Sequence, residues 1–231
     1  CTASQSGLDL IASDQEMTIA THVPCMVEEQ GTVLIPARKL HELLRSLGQE
    51  GALLIEINSN LDITFRTSGG SFTMKGMDSA DYPQQPVFPE GEHALLSAAD
   101  AMKIANRTMF AVSDDEYRPA MTGVLFQFRG NHVIGVSTDS YRLARVIIRG
   151  QNFPDDLDVI IPSRAMDVLR KVDSNVDMSV TRTHARFAMS DTTVITRIID
   201  ERFPPYENVI PVDNDKIAMV NQKDLAGVIK R

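Results

Sequence analysis

The 231-residue chain has no tryptophan, two cysteines and five histidines, and each shortage closes off some chemistry. Cys1 and Cys25 stand apart, with neither a metal-ligand spacing nor a disulfide framework, so a reduced, cytosolic compartment is expected. His41, His93, His132 and His184 have no HExxH or CxxC companions. GxSxG and P-loop motifs are missing. No run of about 18 apolar residues is present to span a membrane, and no signal peptide opens the chain. Positive charge is short as well. The net charge is −8, whereas a generally basic chain is the usual mark of a nucleic-acid binder. What is plentiful is apolar content, at 43%, enough for one large or two medium domains. The first residue is Cys rather than Met, which points to a natural start further upstream.

The most informative feature is an internal repeat. "LIPARKLHELLRSL" (34–47) matches "IIPSRAMDVLRKV" (160–172), pairing Pro36 with Pro162, Arg38 with Arg164 and Leu43 with Leu169. "IASDQEM" (11–17) matches "VSTDSYR" (136–142), pairing Asp14 with Asp139. "DSADYP" matches "DERFPP" more loosely, setting Pro83 against Pro204. "EHALLSAADAMKIANR" (92–107) matches "KIAMVNQKDLAGVIKR" (216–231), pairing Arg107 with Arg231. Four segments keep one order and nearly one offset, of about 125 residues, the size of a domain. The expected organisation is the later part of a first unit over 1–87, a complete second unit over 88–211, and the start of a third over 212–231. The chain then reads as a fragment of a three-unit protein.

Two amphipathic helices are expected per unit. Ser97 is a good N-cap for a helix over 98–109, and Pro162 suits the first turn of one over 162–172. Alternating runs such as "LDLIAS", "ALLIEINS", "LDITFRT", "SFTMKGM", "GVLFQFRG", "HVIGVST", "MSVTRT", "HARFAMS" and "TVITRII" read as strands, and "TSGGS" as a hairpin turn. The fold class is α+β, an antiparallel sheet with helices on one face.

The acidic total hides a segregation of charge. The helical stretches 36–47, 97–107, 162–172 and 221–231 hold 11 of the 23 basic residues and 4 of the 31 acids, so they carry +7 and the remainder −15. Arg38, Glu42 and Arg45 share a face opposite Leu40, Leu43, Leu44 and Leu47. Lys103 and Arg107 lie opposite Ala101, Ile104 and Ala105, and Arg164, Asp167 and Lys171 opposite Ala165, Met166, Val168 and Leu169. One such helix is an ordinary solvated face. Four in repeated positions suggest a shared surface that neutralises phosphates without reading bases.

"VSTDSYRLARV" (136–146) poses a separate question. Two strand-like runs meet at TDS, yet Tyr141, Arg142 and Leu143 occupy the mouth of the turn, where a hairpin ordinarily has Asn-Gly or Asp-Gly. Tyr141 and Leu143 either close a core or form a surface dent. In "SDDEY" (113–117), Asp114, Asp115 and Glu116 either bind a divalent ion or decorate a solvated loop.

"IPARKL", "TGVLFQF", "STDSYRLA", "IIPSRAMDVL" and "DERFPPYENVIP", in that order, cover nearly the whole chain. They resemble the bacterial DNA polymerase III beta subunits, the sliding clamps. The resemblance implies repeated clamp domains, two protomers closed head to tail around duplex DNA, helices lining the hole and sheets outside. It implies a non-catalytic processivity factor without cofactors. Arg38, Arg45, Lys103, Arg107, Arg164, Lys171 and Lys223 would face the DNA. Met121, Thr138, Ser140, Tyr141, Arg142, Leu143, Pro204 and Val209 would line a pocket for the clamp-binding peptides of DNA polymerase, clamp-loader subunits and other replication and repair proteins. Leu43 and Phe72 would lie at the homodimer contact. Many relatives have Gly-His where this chain has Ser140-Tyr141, so the shape of the pocket can differ. Two other readings remain: a peptide-binding scaffold with no role on DNA, and a metal-dependent nuclease using Asp114, Asp115 and Glu116.

Overall fold

The computed structural model describes residues 1–47, 51–82, 88, 92–150 and 156–230. Pro83 and Arg231, each matched in the repeat, lie outside the described residues. Residues 1–201 form one compact unit and residues 202–231 a second. The first unit opens with strands β1 (Thr2–Ser4), β2 (Gly7–Ser13), β3 (Met17–Val23) and β4 (Gly31–Thr32), then helix α1 (Ala37–Leu47). A three-stranded meander follows, β5 (Leu54–Ile57), β6 (Asp62–Thr67) and β7 (Gly70–Lys75), with its last hairpin closed between Thr67 and Gly70. Next come β8 (Glu92–Leu96), α2 (Ala98–Thr108), β9 (Gly123–Arg129), β10 (His132–Thr138), β11 (Leu143–Arg149) and β12 (Leu157–Pro162). Helix α3 (Ser163–Leu169) and strands β13 (Val176–Val180), β14 (His184–Ala188) and β15 (Thr192–Arg197) complete the unit.

All pairings are antiparallel, and the strands make three sheets ordered β4-β1-β2-β3-β15-β14-β13-β8, β11-β10-β9-β12 and β5-β6-β7. The eight-stranded sheet crosses from the first repeat to the second where β3 pairs with β15, from Thr192 opposite Thr21 to Thr196 opposite Met17. Two cores follow. A large one joins Leu96, Ile104, Phe126, Ile161, Met166, Met178 and Phe187, drawn from both larger sheets and from α2 and α3. A small one holds Val33, Leu43, Ile63 and Phe65 between α1 and the three-stranded sheet.

Helix starts follow local chemistry. Ser97 Oγ accepts from the Asp100 amide at the start of α2, as its position before an apolar-periodic run requires. Helix α2 closes tightly over β10 because residue 135 is glycine: a Cβ there would lie 2.8 Å from Ile104 Cγ2. Helix α3 is shorter than the expected 162–172. Pro162 is still extended, as the last residue of edge strand β12 opposite Gly123, where its missing N–H costs no ladder bond. Strands β1, β3, β4, β8 and β12 were not expected from the sequence. "MTIATHV" breaks strict alternation, with Ile19 beside Ala20, Thr21 beside His22 and a threonine, Thr18, as its buried residue, so its strand signal is weak.

The second unit holds a 3-10 turn over Tyr206–Val209 and helix α4 (Gln222–Ile229). Phe203 and Tyr206 meet edge to face, with ring centroids 6.4 Å apart. Asn221 caps α4, its side chain accepting from the amides of Lys223 and Asp224. No helix among the described residues is long and apolar enough to cross a membrane.

Candidate functional site

Strand β10 is fixed at its far end by Ser137, whose Oγ donates to the Thr108 carbonyl at 2.6 Å. The chain then turns on Asp139. Its Oδ1 accepts from the amides of Tyr141 at 2.9 Å and Arg142 at 3.0 Å, and its Oδ2 takes Arg142 Nε at 3.0 Å. The amides of Arg142 and Tyr141, and then the Arg142 side chain, hold this carboxyl below the usual carboxylate range. Ser140 adopts φ of 79°, the left-handed region that L-residues seldom enter. Thr138 Oγ1 donates to the Arg142 carbonyl at 2.8 Å and accepts from the Ser140 amide, and β11 starts with Leu143 opposite Thr138. An acidic, hydrogen-bonded turn thus replaces an Asn-Gly hairpin.

The Asp139 turn leaves its larger side chains outside. Tyr141 is 95% exposed, so it closes no core, and Leu143 is half-buried. The Arg142 guanidinium stands 5.8 Å from the centroid of the exposed Phe110 ring. Met121, half-buried on the 3-10 turn Pro119–Met121, is brought alongside: its Sδ lies 3.6 Å from Ser140 Oγ. Arg118 Nη1 donates to the same Oγ at 2.8 Å. Six of the eight expected pocket residues therefore gather in the first unit. Pro204, half-buried, and Val209, exposed, lie in the second unit.

Asp14 and Asp139, matched by the repeat, form the same turn. Asp14 Oδ1 accepts from the amides of Met17 at 2.8 Å and Glu16 at 3.1 Å, and Gln15 has φ of 74°. Ser13 pairs with Thr18 as Thr138 pairs with Leu143. The difference lies at Oδ2, which meets Arg164 Nη1 at 2.6 Å, across the repeat boundary at the start of α3. The Met17 amide and Arg164 together keep the Asp14 carboxyl below its ordinary range.

The helices turn their basic residues outward. Leu43 is the buried residue of α1; Ala101, Ile104, Ala105 and Thr108 are those of α2, and Ala165, Met166 and Leu169 those of α3. Arg38, Arg45, Lys103, Arg107, Arg164, Lys171 and Lys223 are all exposed. They are not equally free. Arg38 pairs with Glu42 at 3.1 Å and Arg164 with Asp14, while Arg45, Lys103, Arg107 and Lys171 make no ion pair among the described residues. Leu43 and Leu44, both expected on the apolar side of α1, part company. Leu44, placed with the apolar side, is 43% exposed, and Leu43, placed at a protomer contact, belongs to the small core. The buried stripe is centred on Leu40, Leu43 and Leu47, and Leu44 falls at its margin. Phe72 is 43% exposed on β7, the edge of the three-stranded sheet.

Asp115 is committed to structure: Arg118 Nε lies 2.8 Å from its Oδ2, and that bond, with the Tyr117 amide, lowers its pKa. No group of three or more His, Cys, Asp or Glu is positioned for a metal among the described residues.

The family model described as DNA polymerase III beta subunit, N-terminal domain, matches residues 1–86, and the central-domain model of the same subunit matches residues 96–205. A beta sliding clamp from Bacillus subtilis is 28% identical over 99% of this chain, which spans 64% of that protein's length. The beta sliding clamp of Treponema pallidum is 28% identical over 97% of the chain and 62% of its own length. A solved DNA polymerase sliding clamp from Bacillus subtilis superposes with a TM-score of 0.82 at 26% identity, over 92% of this chain and 59% of that one. A sliding clamp from Bartonella birtlesii, solved bound to griselimycin, shares the fold with a TM-score of 0.90 over 99% of this chain and 64% of that one. With both domain models in sequence and the clamp fold from end to end, this chain belongs to the DNA polymerase III beta subunit family, the beta sliding clamps.

Proposed function

We propose that the protein is a non-catalytic processivity factor: a cytoplasmic ring of two protomers, closed head to tail, that encircles duplex DNA and tethers DNA polymerase and other replication proteins. Residues 1–87, 88–211 and 212–231 then belong to successive clamp domains. The observation that carries this is the placement of Arg45, Lys103, Arg107 and Lys171. They stand exposed, with no ion pair among the described residues, on or beside helices whose other faces are buried, in a chain whose net charge is −8. Such a surface attracts phosphates weakly and reads no sequence, as sliding requires. Arg38 and Arg164 share their charge with an acid and contribute less. Lys223 is the basic residue that the resemblance assigns to the DNA-facing side of α4. The turn at Asp139 supplies one wall of a peptide pocket, with Met121, Thr138, Ser140, Tyr141, Arg142 and Leu143; the resemblance assigns Pro204 and Val209 to the same pocket, and its remaining wall to the family's third domain. The exposed edge at Phe72, with Leu44 beside Leu43, is the first domain's share of the protomer contact.

The test loads the full-length protein with a clamp loader onto nicked circular duplex DNA and isolates the complex. It should remain on circles, leave on linearisation, and show no base preference. Neutralising Lys103, Arg107 and Lys171 together should weaken loading and flatten its salt dependence. Retention on linear DNA at a preferred sequence would contradict the ring. Unchanged loading after neutralisation would favour a peptide-binding scaffold without a role on DNA.

A further inference from the structure

The chain holds four tyrosines, and two of them, Tyr117 and Tyr141, are 97% and 95% exposed. Rings left so fully in water are uncommon, and these two stand on loops that are tied together. The tie is Arg118, which donates from Nη1 to Ser140 Oγ and from Nε to Asp115 Oδ2, both at 2.8 Å. Tyr117 precedes Arg118 and Tyr141 follows Ser140, so this bond brings together the loops that carry them. Neither sits on slack backbone. The Tyr117 amide donates to Asp115 Oδ1 at 3.0 Å and the Tyr141 amide to Asp139 Oδ1 at 2.9 Å. The arginines of the rim are already answered, Arg118 by Asp115 and Arg142 by Asp139. Asp114 and Glu116 are exposed and make no ion pair among the described residues. The rim therefore offers two aromatic faces and two uncommitted negative charges. Its complement is a cation on an alkyl stem.

We infer that Tyr117 and Tyr141, with Asp114 and Glu116, form a rim beside the peptide pocket that selects a Lys or Arg flanking the apolar anchors of the bound peptide. The inference rests on the pocket reading above and adds a rule of specificity to it. Tyr117 and the two acids act on the flank of the peptide and not on its anchors, so their effect separates from that of the pocket itself.

The test uses fluorescein-labelled peptides of one length, each with a Leu-Phe anchor pair, flanked by Lys-Lys, Ala-Ala or Glu-Glu. Each is titrated into the full-length protein. The Lys-flanked peptide should bind about five-fold tighter than the Ala-flanked one, and the Glu-flanked peptide more weakly than either. The Lys advantage should shrink as salt is raised. Tyr117→Ala, and separately the double variant Asp114→Asn/Glu116→Gln, should bring the Lys-flanked and Ala-flanked affinities to within about two-fold. Both should leave the Ala-flanked affinity at its wild-type value. Tyr117→Phe should keep the preference. Equal wild-type affinities for the three peptides would overturn the rim and leave the pocket standing. No binding by any of them would overturn both. A Lys preference that survives in both variants would place the selectivity elsewhere and overturn the rim.

Discussion

The turns at Asp14 and Asp139 share a backbone and differ in what they are used for. Each places an aspartate oxygen on two following amides, and each puts the next residue at φ between 74° and 79°. At Asp14 the second oxygen reaches Arg164 and joins the two repeats, and the strand that follows, β3, continues the eight-stranded sheet into β15. At Asp139 the second oxygen stays within the turn, on Arg142, and the strand that follows, β11, is the edge of its sheet. The first turn is therefore a seam and the second a surface. A repeat preserves the backbone solution, and side chains two or three residues away decide whether it holds the fold together or faces a partner.

The largest effect should come from the support of the second turn. Gly135→Ala places a methyl group 2.8 Å from Ile104 Cγ2, and α2 must move off β10 to admit it. The loss should be roughly 1–3 kcal/mol of unfolding free energy in urea titration. Peptide affinity should fall with it, because Ser137 ties the same strand to the end of α2.

Exchanging the two aspartates for alanine separates seam from surface. Asp139→Ala should weaken peptide binding by about ten-fold or more, since two amides and Arg142 lose their partner. Asp14→Ala should leave peptide binding unchanged and lower the urea midpoint, because the link to Arg164 is lost. Equal effects of the two on peptide affinity would erase the distinction.

Proton titration gives a finer division. Asp14 and Asp139 have folded pKa values below the ordinary 3.8, so their contribution is present above that value and is lost as pH falls through the folded ones. Both turns share this acid limb. His22, on β3, behaves oppositely. Its Nδ1 lies 2.8 Å from Asp9 Oδ1 and its Nε2 3.1 Å from the Ser6 carbonyl, and Asp9 raises its pKa above 6.5. That contribution is complete below 6.5 and is lost as pH rises through the folded value. Stability should therefore show an alkaline limb that Asp9→Asn removes and no change at the Asp139 turn affects, measured as urea midpoints between pH 5 and pH 9.

The smallest effect concerns the left-handed residue itself. Gln15→Gly relieves a positive φ at an exposed position whose side chain makes no hydrogen bond or ion pair among the described residues, and should raise stability by about 0.5 kcal/mol. Ser140→Gly relieves the same φ but gives up the bonds to Arg118 and Met121, and should gain less.

Much of this was legible in residue types. The pairing of Asp14 with Asp139 and of Arg38 with Arg164 exposed the repeat, because a turn needs its aspartate and a helix start repeats its neighbours. Ser97 marked α2 through capping chemistry. Other features depend on distance in space and leave no local signal. Nothing in "SDQE" announces that Asp14 will meet Arg164, 150 residues later, and discount one of the basic positions. The period of α1 could not decide between Leu43 and Leu44, because a margin residue is buried only if something lies over it. The turn at Asp139 was recognisable as unusual, but only its geometry shows that Tyr141 points to solvent and that Arg118 brings a second loop to it.

The role proposed for the turn at Asp139 is to receive a peptide. Leu143→Asp is the direct test, since it would put a charge in the proposed pocket, where each buried apolar anchor would contribute roughly 1.5–3 kcal/mol. A labelled peptide with Leu and Phe anchors is titrated into full-length wild type and variant, with loading on circular DNA followed in parallel. Binding should be micromolar in the wild type and absent in Leu143→Asp, with ring assembly and DNA retention unchanged. If the variant binds the peptide with wild-type affinity, the turn only closes the end of a sheet and the account fails at its centre.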